Sequence, residues 1–352
     1  YALISDGEIV LSGTSGIFNK DKTGTLDNQS LFGIGSISKM FTATAVMILS
    51  DQGKINLDEP VTNYVPEFKM ADPRYEEITV RMLLNHSSGI MGSNFLKSFL
   101  YDYPSTFAHD NLLAQLAKEQ LKAAPGEFSG YCNDGFTLVE IIVEKVSGMS
   151  FSEFIRKNIT EPLGMNNTYT PMDDFDRNRL VRTFVNGEET PVDTINVIGT
   201  GGIYSTAEDL CCLGQAYTND PGYLPAVDLL SQDAKVMTMQ KEYKRGFGPD
   251  QKEGLFGYGL GWDSVDAYPY SQYDIQSLIK GGDTQLYHGS MIVLPEYNMV
   301  FAALLSGGSS LYGQVMGHVL LLETLLAENE ITEIIPSIEL QPPVLSLMPQ
   351  EL

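Results

Sequence analysis

Residues 32–47 read FGIGSISKMFTATAVM, and this stretch places Ser36 three positions before Lys39 at the head of a small and apolar run. Nearly every residue from 36 to 49 is small or apolar, so the pattern predicts a helix that begins at Ser36 and is buried on all sides. Residues three positions apart on a helix lie on the same face, one turn apart. Lys39 is therefore expected to reach the Ser36 hydroxyl.

The pair formed by Ser36 and Lys39 has two interpretations. A serine hydroxyl is a poor nucleophile until a base removes its proton, and a lysine helps if its amine is neutral or if it stabilises a second base in ionised form. Unpaired N–H groups at a helix start also favour a developing oxyanion. Alternatively, Ser36 only caps the helix and Lys39 is a solvated charge in its first turn.

The composition of the 352 residues argues against several classes of function. The formal charge is -23, from 22 basic and 45 acidic residues, without a Lys/Arg-rich run. Nucleic acid is therefore not expected as a partner, and membrane contact is not indicated. No window has the roughly 18 to 20 uninterrupted apolar residues that a membrane span needs. No metal is expected, because no zinc-ligand spacing joins the cysteines and histidines, which are Cys132, Cys211, Cys212, His86, His109, His288 and His318.

The order of the predicted elements indicates an α+β fold. The opening residues alternate like a strand pair that turns at Asp6 and Gly7, and two later β-rich runs flank residues 295–298, a hairpin signal. A long helical pattern follows them. We therefore predict an antiparallel sheet flanked by helices. The predicted sheet subdomain is discontinuous and consists of residues 1–55 and 198–328. Residues 56–197 are predicted to form a mostly helical subdomain, and residues 329–352 a linker-like tail.

Several further blocks follow the opening stretch in a characteristic order. They are ITVRMLLNHSSGI (78–90), PGEFSGYCNDGFTLVEIIVEKVSG (125–148), EPLGMNNT (161–168), GTGGIYSTAEDL (199–210) and FGYGLGW (256–262). Together with the Ser-x-x-Lys region, these blocks resemble the serine β-lactamase and DD-peptidase superfamily, in its class C β-lactamase-like branch, over about residues 1–325. The resemblance implies a β-lactamase/transpeptidase-like fold.

The resemblance also implies catalytic roles. Ser36 matches the nucleophile and Lys39 the lysine of the first motif. The family's Tyr-x-Asn motif matches YCN, beginning at Tyr131, which makes Tyr131 the second base and lets Asn133 hydrogen-bond Lys39 and the substrate amide. A phenol with an unperturbed pKa of about 10 needs nearby positive charge to act near neutrality, and Lys39 with Lys280 could supply that charge.

The third motif of the family, Lys/His-x-Gly on a strand, has two candidates here, KGG at Lys280 and HGS at His288. In the family about a dozen residues separate this motif from a strand-ending proline, and Lys280 lies at the matching distance. The resemblance therefore implies Lys280 and leaves His288 a structural role. Gly282 would let the substrate approach the strand, and the backbone N–H of Asp283, with that of the serine, would form the oxyanion hole.

One position departs from the family's pattern. β-Lactamases and DD-peptidases commonly carry a hydroxyl in the middle of the third motif, where it helps to bind the substrate's carboxylate. This chain has Gly281 there, followed by the acidic Asp283. Recognition of an anionic C-terminus is therefore not implied.

The expected function is that of a serine hydrolase that cleaves an amide or ester through an acyl-enzyme, without a cofactor. The expected partner is a small-molecule or peptide substrate, with D-amino-acid-containing peptides favoured. A promiscuous carboxylesterase and a penicillin-binding sensor or scaffold without turnover are the alternatives. Family members generally work outside the cytoplasm, so an extracytoplasmic location is expected. Because the chain does not begin with Met, we expect a preceding segment that could have held a secretion signal.

Overall fold

The computed structural model describes residues 1–92, 98–219, 228–242 and 257–335. The strands in these residues are β1 (Ala2–Ser5), β2 (Glu8–Ser12), β3 (Phe32–Gly33), β4 (Phe99–Tyr101), β5 (Thr183–Val185), β6 (Glu188–Thr190), β7 (Asp193–Ile195), β8 (Tyr204–Ser205), β9 (Leu278–Asp283), β10 (His288–Leu294) and β11 (Met299–Leu305). The α-helices are α1 (Ser38–Asp51), α2 (Val80–Leu84), α3 (Phe107–Leu116), α4 (Asn133–Ser147), α5 (Phe151–Ile155), α6 (Ala207–Gln215), α7 (Gln232–Met239) and α8 (Ser310–Ala327).

The central sheet joins strands from the two ends of the chain. Its five strands lie in the order β2-β1-β11-β10-β9, and each neighbouring pair is antiparallel. Asp6 and Gly7 turn the chain between β1 and β2 with φ of 46° and 80°, and Asn298, at 50°, precedes β11. The predicted antiparallel sheet is thus confirmed, and its hairpin turns lie where the turn residues of the sequence indicate.

Side chains alternate along these strands between two packed layers. Ile292 and Phe301 belong to the layer that contains α8, whereas Met291 and Val300 belong to the layer that contains α1 and α6. Close packing of α8 needs a glycine, because a Cβ at Gly317 would lie 2.4 Å from the Phe301 ring. Helices therefore cover both faces of the sheet, and β9 is one of its two edge strands.

The helix that carries Lys39 begins later than predicted. A 3-10 turn, Gly35–Ile37, comes first with Gly35 at φ 51°, and the regular helix α1 starts at Ser38. The prediction of a helix start at Ser36 is therefore wrong by two residues. The tighter turn fits against the edge of the sheet, since a Cβ at Gly35 would lie 2.7 Å from the Asp283 nitrogen. Ser36 consequently lies between α1 and β9.

Helix α1 is buried on all sides, as its composition predicts. Its buried residues run from 38 to 49 without a gap. It packs against α4 and against a π-helical turn, Ile198–Gly202. A side chain on this helix is therefore held inside the protein, whatever its polarity.

The region 56–197 contains α2 to α5 and also two short strand pairs, β4 with β7 and β5 with β6. The second pair turns at Asn186 and Gly187, and both residues have positive φ. Two-residue hairpin turns favour the Asn-Gly sequence because they need this backbone conformation. The division into a sheet subdomain and a helical subdomain stays a prediction.

The predicted tail, 329–352, lies outside the described residues from position 336 onward. Among the residues that the structure describes, none of the helices is both long enough and apolar enough to cross a membrane.

Candidate active site

Ser36 lies at the centre of a short chain of polar contacts. Its Oγ is 3.1 Å from the Lys39 Nζ and 2.8 Å from the Tyr131 hydroxyl. Tyr131 precedes α4, so the fold brings together two segments that are far apart in the sequence. The three residues predicted to carry the chemistry therefore meet at one oxygen atom.

Lys39 is fully buried in surroundings that favour its neutral amine. Burial lowers the pKa of Lys39 well below its ordinary value, and the charge of Lys280 lowers it further. Its Nζ donates a hydrogen bond to the Thr200 carbonyl oxygen, 2.7 Å away. A neutral amine held in this way keeps its lone pair for the proton of Ser36. The alternative of a solvated lysine beside a helix cap does not fit a buried side chain.

The π-helical turn Ile198–Gly202, whose Thr200 carbonyl accepts the hydrogen bond from Lys39, is itself fixed by two further hydrogen bonds. The Gly199 N–H donates to the buried Glu140 carboxylate at 2.8 Å, and the Gly199 carbonyl accepts from the Thr42 hydroxyl at 2.6 Å. Burial raises the pKa of Glu140 to about 7. The sequence did not single out Glu140 or Thr42, because each lies on a helix far from the turn along the chain. Both fix the position of the carbonyl that holds Lys39.

Tyr131 is a neutral phenol in this site. Although 37% of its surface is exposed to the cleft, the protein packed around it raises the pKa of Tyr131 well above its ordinary value, and the Asp263 carboxylate adds to the increase. The amines of Lys39 and Lys280 lie over its ring, 5.0 and 5.4 Å from the centroid. The expectation that these lysines favour a phenolate is therefore not supported. Instead, the hydroxyl donates a hydrogen bond to the Ser36 oxygen.

His86 supports Tyr131, although the sequence did not mark it as a site residue. Its ring centroid lies 4.4 Å from that of Tyr131, and its Nδ1 accepts a hydrogen bond from the Cys132 N–H at 3.1 Å. Burial lowers the pKa of His86 well below its usual range, and the charge of Lys280 adds to this. The only signal in the sequence was its place within the block at 78–90.

Asn133 lies on the same wall of the site. It is the first residue of α4, and its backbone carbonyl accepts a hydrogen bond from the Thr200 hydroxyl at 3.1 Å. Thr200 also supplies the carbonyl that holds Lys39. The roles of the Asn133 side chain toward Lys39 and toward a substrate amide stay predictions.

Lys280 lies on the edge strand β9 beside an acidic partner that the sequence analysis missed. Its Nζ is 2.5 Å from the Asp263 Oδ1, and the Asp263 Oδ2 accepts a hydrogen bond from the Gly281 N–H at 3.0 Å. Asp263 stands immediately after the FGYGLGW block and belongs to no motif. Its pairing with Lys280 is set by the way this loop lies along β9.

The register of β9 and β10 separates Lys280 from His288. His288 is opposite Asp283, and its Nδ1 is 2.6 Å from the Asp283 carboxylate. Lys280 is opposite Met291 and lies over the Tyr131 ring. This placement supports Lys280 as the lysine of the third motif.

We expect Lys280→Ala to lower the rate of Ser36 acylation by on the order of 10² or more, the scale for losing a charged group at a reacting centre. His288→Ala, on the neighbouring strand, is expected to change mainly stability. The measurement is the labelling rate with a fluorophosphonate probe, with the melting temperature recorded for each variant. The reverse ranking would move the third motif to His288.

Strand β9 and the turn at Ser36 approach each other through glycine. A Cβ at Gly282 would lie 2.1 Å from the Ile34 carbonyl oxygen and 3.0 Å from the Ser36 nitrogen. Real Cβ atoms do not approach backbone atoms so closely, so glycine alone fits at position 282. The Ser36 N–H is thereby held against β9.

The Asp283 N–H points toward the open edge of β9. On that edge the N–H of Ile279 donates to the Ser264 carbonyl, and the N–H of Gly281 donates to Asp263. Backbone groups along a strand repeat their direction every second residue, so the Asp283 N–H shares this direction. The N–H groups of Ser36 and Asp283 can therefore converge on one substrate oxygen, which is the geometry of the predicted oxyanion hole.

We expect Gly282→Ala to lower the free energy of unfolding by about 1 to 3 kcal/mol or more, because the new methyl group meets backbone atoms that cannot move aside. Gly281→Ala is the matched control. The nearest atom to a Cβ at Gly281 is the Ser310 Oγ, at an ordinary contact distance of 3.7 Å. Thermal and denaturant unfolding measure both effects. Equal stability of the two variants would contradict the close approach of β9 to the turn.

A cavity of about 540 Å³ opens beside Ser36 and Tyr131, and residues of β9 and α8 form part of its lining. Its size is in the range of small-molecule sites. Within the described parts of the chain, no group of His, Cys, Asp and Glu side chains could hold a metal ion.

Comparison with known proteins identifies the family. The Beta-lactamase family model matches residues 1–323. D-alanyl-D-alanine-carboxypeptidase/endopeptidase AmpH of Escherichia coli (strain K12) is 29% identical over 286 residues, which are 77% of this chain and 69% of AmpH. A penicillin-binding protein of Bacillus subtilis (strain 168) is 33% identical over 167 residues, 46% of this chain, and the match spans only 35% of that relative.

Solved structures give the same result for the fold. The octameric penicillin-binding protein homologue from Pyrococcus abyssi superposes with a TM-score of 0.74 at 27% identity, covering 92% of this chain and 72% of that chain. The α+β fold class is thus confirmed. With the family model matched over nearly all of its length, this chain belongs to the β-lactamase family of serine hydrolases.

Proposed function

We propose that Ser36 forms an acyl-enzyme with an amide or ester substrate and that Lys39 and Tyr131 move the protons. The observation that carries this proposal is the pair of contacts at the Ser36 oxygen. The Tyr131 hydroxyl donates a hydrogen bond to it, and the amine of Lys39, whose pKa burial lowers, lies 3.1 Å away, within reach of its proton.

In the first step the Ser36 Oγ bonds to the substrate carbonyl carbon while its proton passes to the Lys39 Nζ. The resulting oxyanion accepts hydrogen bonds from the N–H groups of Ser36 and Asp283. Tyr131 gives its proton to the leaving nitrogen or oxygen as the bond to the carbonyl carbon breaks, and the Lys39 ammonium re-protonates Tyr131.

The second step releases the acyl group. A water molecule attacks the ester of Ser36, and its proton passes through Tyr131 to Lys39. The bond between the Ser36 oxygen and the acyl carbon then breaks, the acid product leaves, and the Lys39 ammonium returns a proton to Ser36, so the site returns to its starting state. No cofactor takes part in either step.

The substrates that we propose are peptides or amides that contain D-amino acids. The support comes from the relatives, because AmpH is named for carboxypeptidase and endopeptidase activity on D-alanyl-D-alanine. The cavity argues against a free carboxylate next to β9, since Gly281 provides no hydroxyl there and both Asp263 and Asp283 line the space. Internal or amidated peptide bonds therefore fit better than free C-termini.

One assay profile tests the proposal against its alternatives. The panel is a free D-Ala-D-Ala peptide, its amidated form, a D-aminoacyl amide, nitrocefin and p-nitrophenyl butyrate. Cleavage of the amidated peptide or the D-aminoacyl amide supports the proposal. Turnover of the ester alone would indicate a carboxylesterase, and a stable penicilloyl adduct without turnover would indicate a penicillin-binding sensor.

We expect poor turnover of nitrocefin and of free D-Ala-D-Ala termini. Losing one hydrogen bond to a charged group costs about 1.5 to 3 kcal/mol, or roughly 10- to 150-fold in transition-state binding. An uncharged ester or an amidated D-peptide should therefore have the higher kcat/KM. Efficient nitrocefin hydrolysis, with kcat/KM of about 10⁵ M⁻¹s⁻¹ or above, would contradict this expectation.

The variant Gly281→Thr tests whether the missing hydroxyl at position 281 causes the poor turnover of substrates with a carboxylate. A Cβ at this position fits, at 3.7 Å from the Ser310 Oγ and 3.8 Å from the Asp263 carboxylate. The new hydroxyl should narrow the difference between charged and uncharged substrates. Because Asp263 can also accept a hydrogen bond from that hydroxyl, the double variant with Asp263→Asn should narrow the difference further.

A further inference from the structure

The cavity beside Ser36 presents negative charge to whatever it binds. Among the described residues, its lining contains two carboxylates, Asp263 and Asp283, and no lysine, arginine or histidine. Lys280, the partner of Asp263, has a side chain that is 0% exposed, whereas the side chains of Asp263 and Asp283 are 27% and 51% exposed. A bound molecule therefore contacts the two acids and not the lysine ammonium.

Asp283 is held in its charged form with a fixed orientation. Its Oδ1 accepts hydrogen bonds from the His288 Nδ1 at 2.6 Å and from the Ser310 N–H at 3.1 Å, and its Oδ2 accepts from the Ser310 Oγ at 2.7 Å. Partial burial opposes ionisation, but these hydrogen bonds outweigh it and lower the pKa of Asp283. A carboxylate has about four acceptor positions, so Asp283 keeps capacity for a ligand.

The remaining lining fits a cation as well. Three tyrosines, Tyr131, Tyr258 and Tyr268, contribute to it, and the faces of aromatic rings attract ammonium and guanidinium groups. Ser264, which is 4% exposed, lines the same cavity, and its hydroxyl has no hydrogen-bond partner among the described residues. That hydroxyl is buried in the wall of the cavity, so the tyrosine rings and the two carboxylates are the groups that a bound cation meets.

We propose that this cavity selects substrates that carry a positive charge, an ammonium or guanidinium group close to the bond that is cleaved. Asp263 and Asp283 determine this specificity, and the tyrosine rings cover the apolar part of the cation. The inference rests on the proposed acyl-enzyme at Ser36 and adds the charge of the substrate. The net charge of -23 favours the approach of the same substrates over longer distances.

Two matched series of substrates test the proposal. In the first, the acetyl thioesters of thiocholine, 3,3-dimethylbutanethiol and 3-mercaptopropionate place a cation, a neutral isostere and an anion on the leaving group. In the second, p-nitrophenyl esters of 4-trimethylammoniobutyrate and of 5,5-dimethylhexanoate place the cation or its neutral isostere on the acyl group. The quantity compared is the ratio of kcat/KM for the cationic and neutral members.

We expect this ratio to be about tenfold or more in at least one series, with the anion the poorest substrate. The ratio should fall as salt is raised from 0.01 to about 1 M, because Asp283 is half exposed and is screened. Ratios near one in both series would overturn the proposal.

Variants of the two acidic residues test whether they cause the preference for cationic substrates. Asp263→Asn and Asp283→Asn should each lower the ratio by about threefold or more, and the double variant should remove the preference. The ratio is used because each substitution also removes a partner from Lys280 or His288, and a general loss of activity cancels in it. Asp266→Asn is the matched control, since Asp266 is exposed, lies three positions from Asp263 and does not line this cavity. An unchanged ratio in the double variant would contradict the role of both acids.

A direct binding measurement tests the cation-binding cavity independently of the acyl-enzyme function. Calorimetry with butyltrimethylammonium, on the unmodified protein and on the double variant, measures cation binding without turnover. If Ser36 neither turns over esters nor reacts with a fluorophosphonate, the acyl-enzyme function fails, whereas cation binding that disappears in the double variant still supports the charged cavity. Binding that the double variant retains would exclude these two acids as its site.

Discussion

Replacing Ser36 by alanine is expected to abolish covalent labelling by a fluorophosphonate or penicillin probe and to lower kcat/KM by about 10⁴-fold or more, the scale for loss of a catalytic nucleophile. The melting temperature should change little, because the substitution removes one hydroxyl and leaves the packing of α1 intact. Mass spectrometry of the labelled protein and thermal unfolding measure the two effects. Undiminished labelling of the alanine variant would remove Ser36 as the nucleophile.

Ser38→Ala is the matched control, two residues further along the chain. The Ser38 hydroxyl is buried and accepts a hydrogen bond from the Ile203 N–H at 3.2 Å. Its loss leaves a buried donor without a partner, which costs about 1 to 3 kcal/mol. We therefore expect the opposite pattern, with labelling kept and stability lowered. The same loss of labelling in both variants would indicate damage to the turn and not loss of the nucleophile.

Replacing Lys39 by methionine is expected to lower kcat/KM by about 10²- to 10⁴-fold, the range for loss of a general base. Lys39→Arg should not restore activity, because a guanidinium stays protonated at every accessible pH and cannot accept the Ser36 proton. Lys235→Met is the control, since Lys235 is also buried and donates to a backbone carbonyl, that of Thr218, but lies on α7, whereas Lys39 contacts Ser36. Activity of the arginine variant near that of the unmodified protein would exclude proton transfer to this side chain.

The pH dependence of kcat/KM gives an independent measurement of the same group. A base must be deprotonated to act, and burial lowers the pKa of Lys39 well below its ordinary value of 10.5. The rate should therefore reach its plateau at a pH far below that value as pH is raised. A rate that keeps rising through pH 10 would show that Lys39 titrates like an exposed lysine.

The features that could be predicted from the sequence depend on residues that are close along the chain. The burial of α1, the turns at Asp6 and Gly7 and at 295–298, and the long helix α8 follow from local periodicity and turn chemistry. The contact between Ser36 and Lys39 could also be predicted from local sequence. Three positions keep two side chains within one turn in a 3-10 or an α conformation, so the error in the helix start did not separate them.

The order of the motifs also allowed residues far apart in the sequence to be predicted as members of one site. Tyr131 and Lys280 were assigned by resemblance, and the fold brings Tyr131 to the Ser36 oxygen and Lys280 over the Tyr131 ring. Their neighbours Asp263 and His86 were not assigned. Neither carries a pattern of its own, and each acquires its role only by contact with a residue from another element.

Residue types, spacing and motif order by themselves determined the family and the sheet, and they predicted a set of reactive side chains. Only the tertiary structure decided their protonation and the charge of the cleft. Burial and nearby charges of the same sign come from atoms that the folded chain assembles around each group, so they lower the pKa of Lys39 toward its neutral amine and raise the pKa of Tyr131 away from its phenolate. In the same way, the fold buried the side chain of Lys280 and left the carboxylates of Asp263 and Asp283 exposed in the cavity beside Ser36.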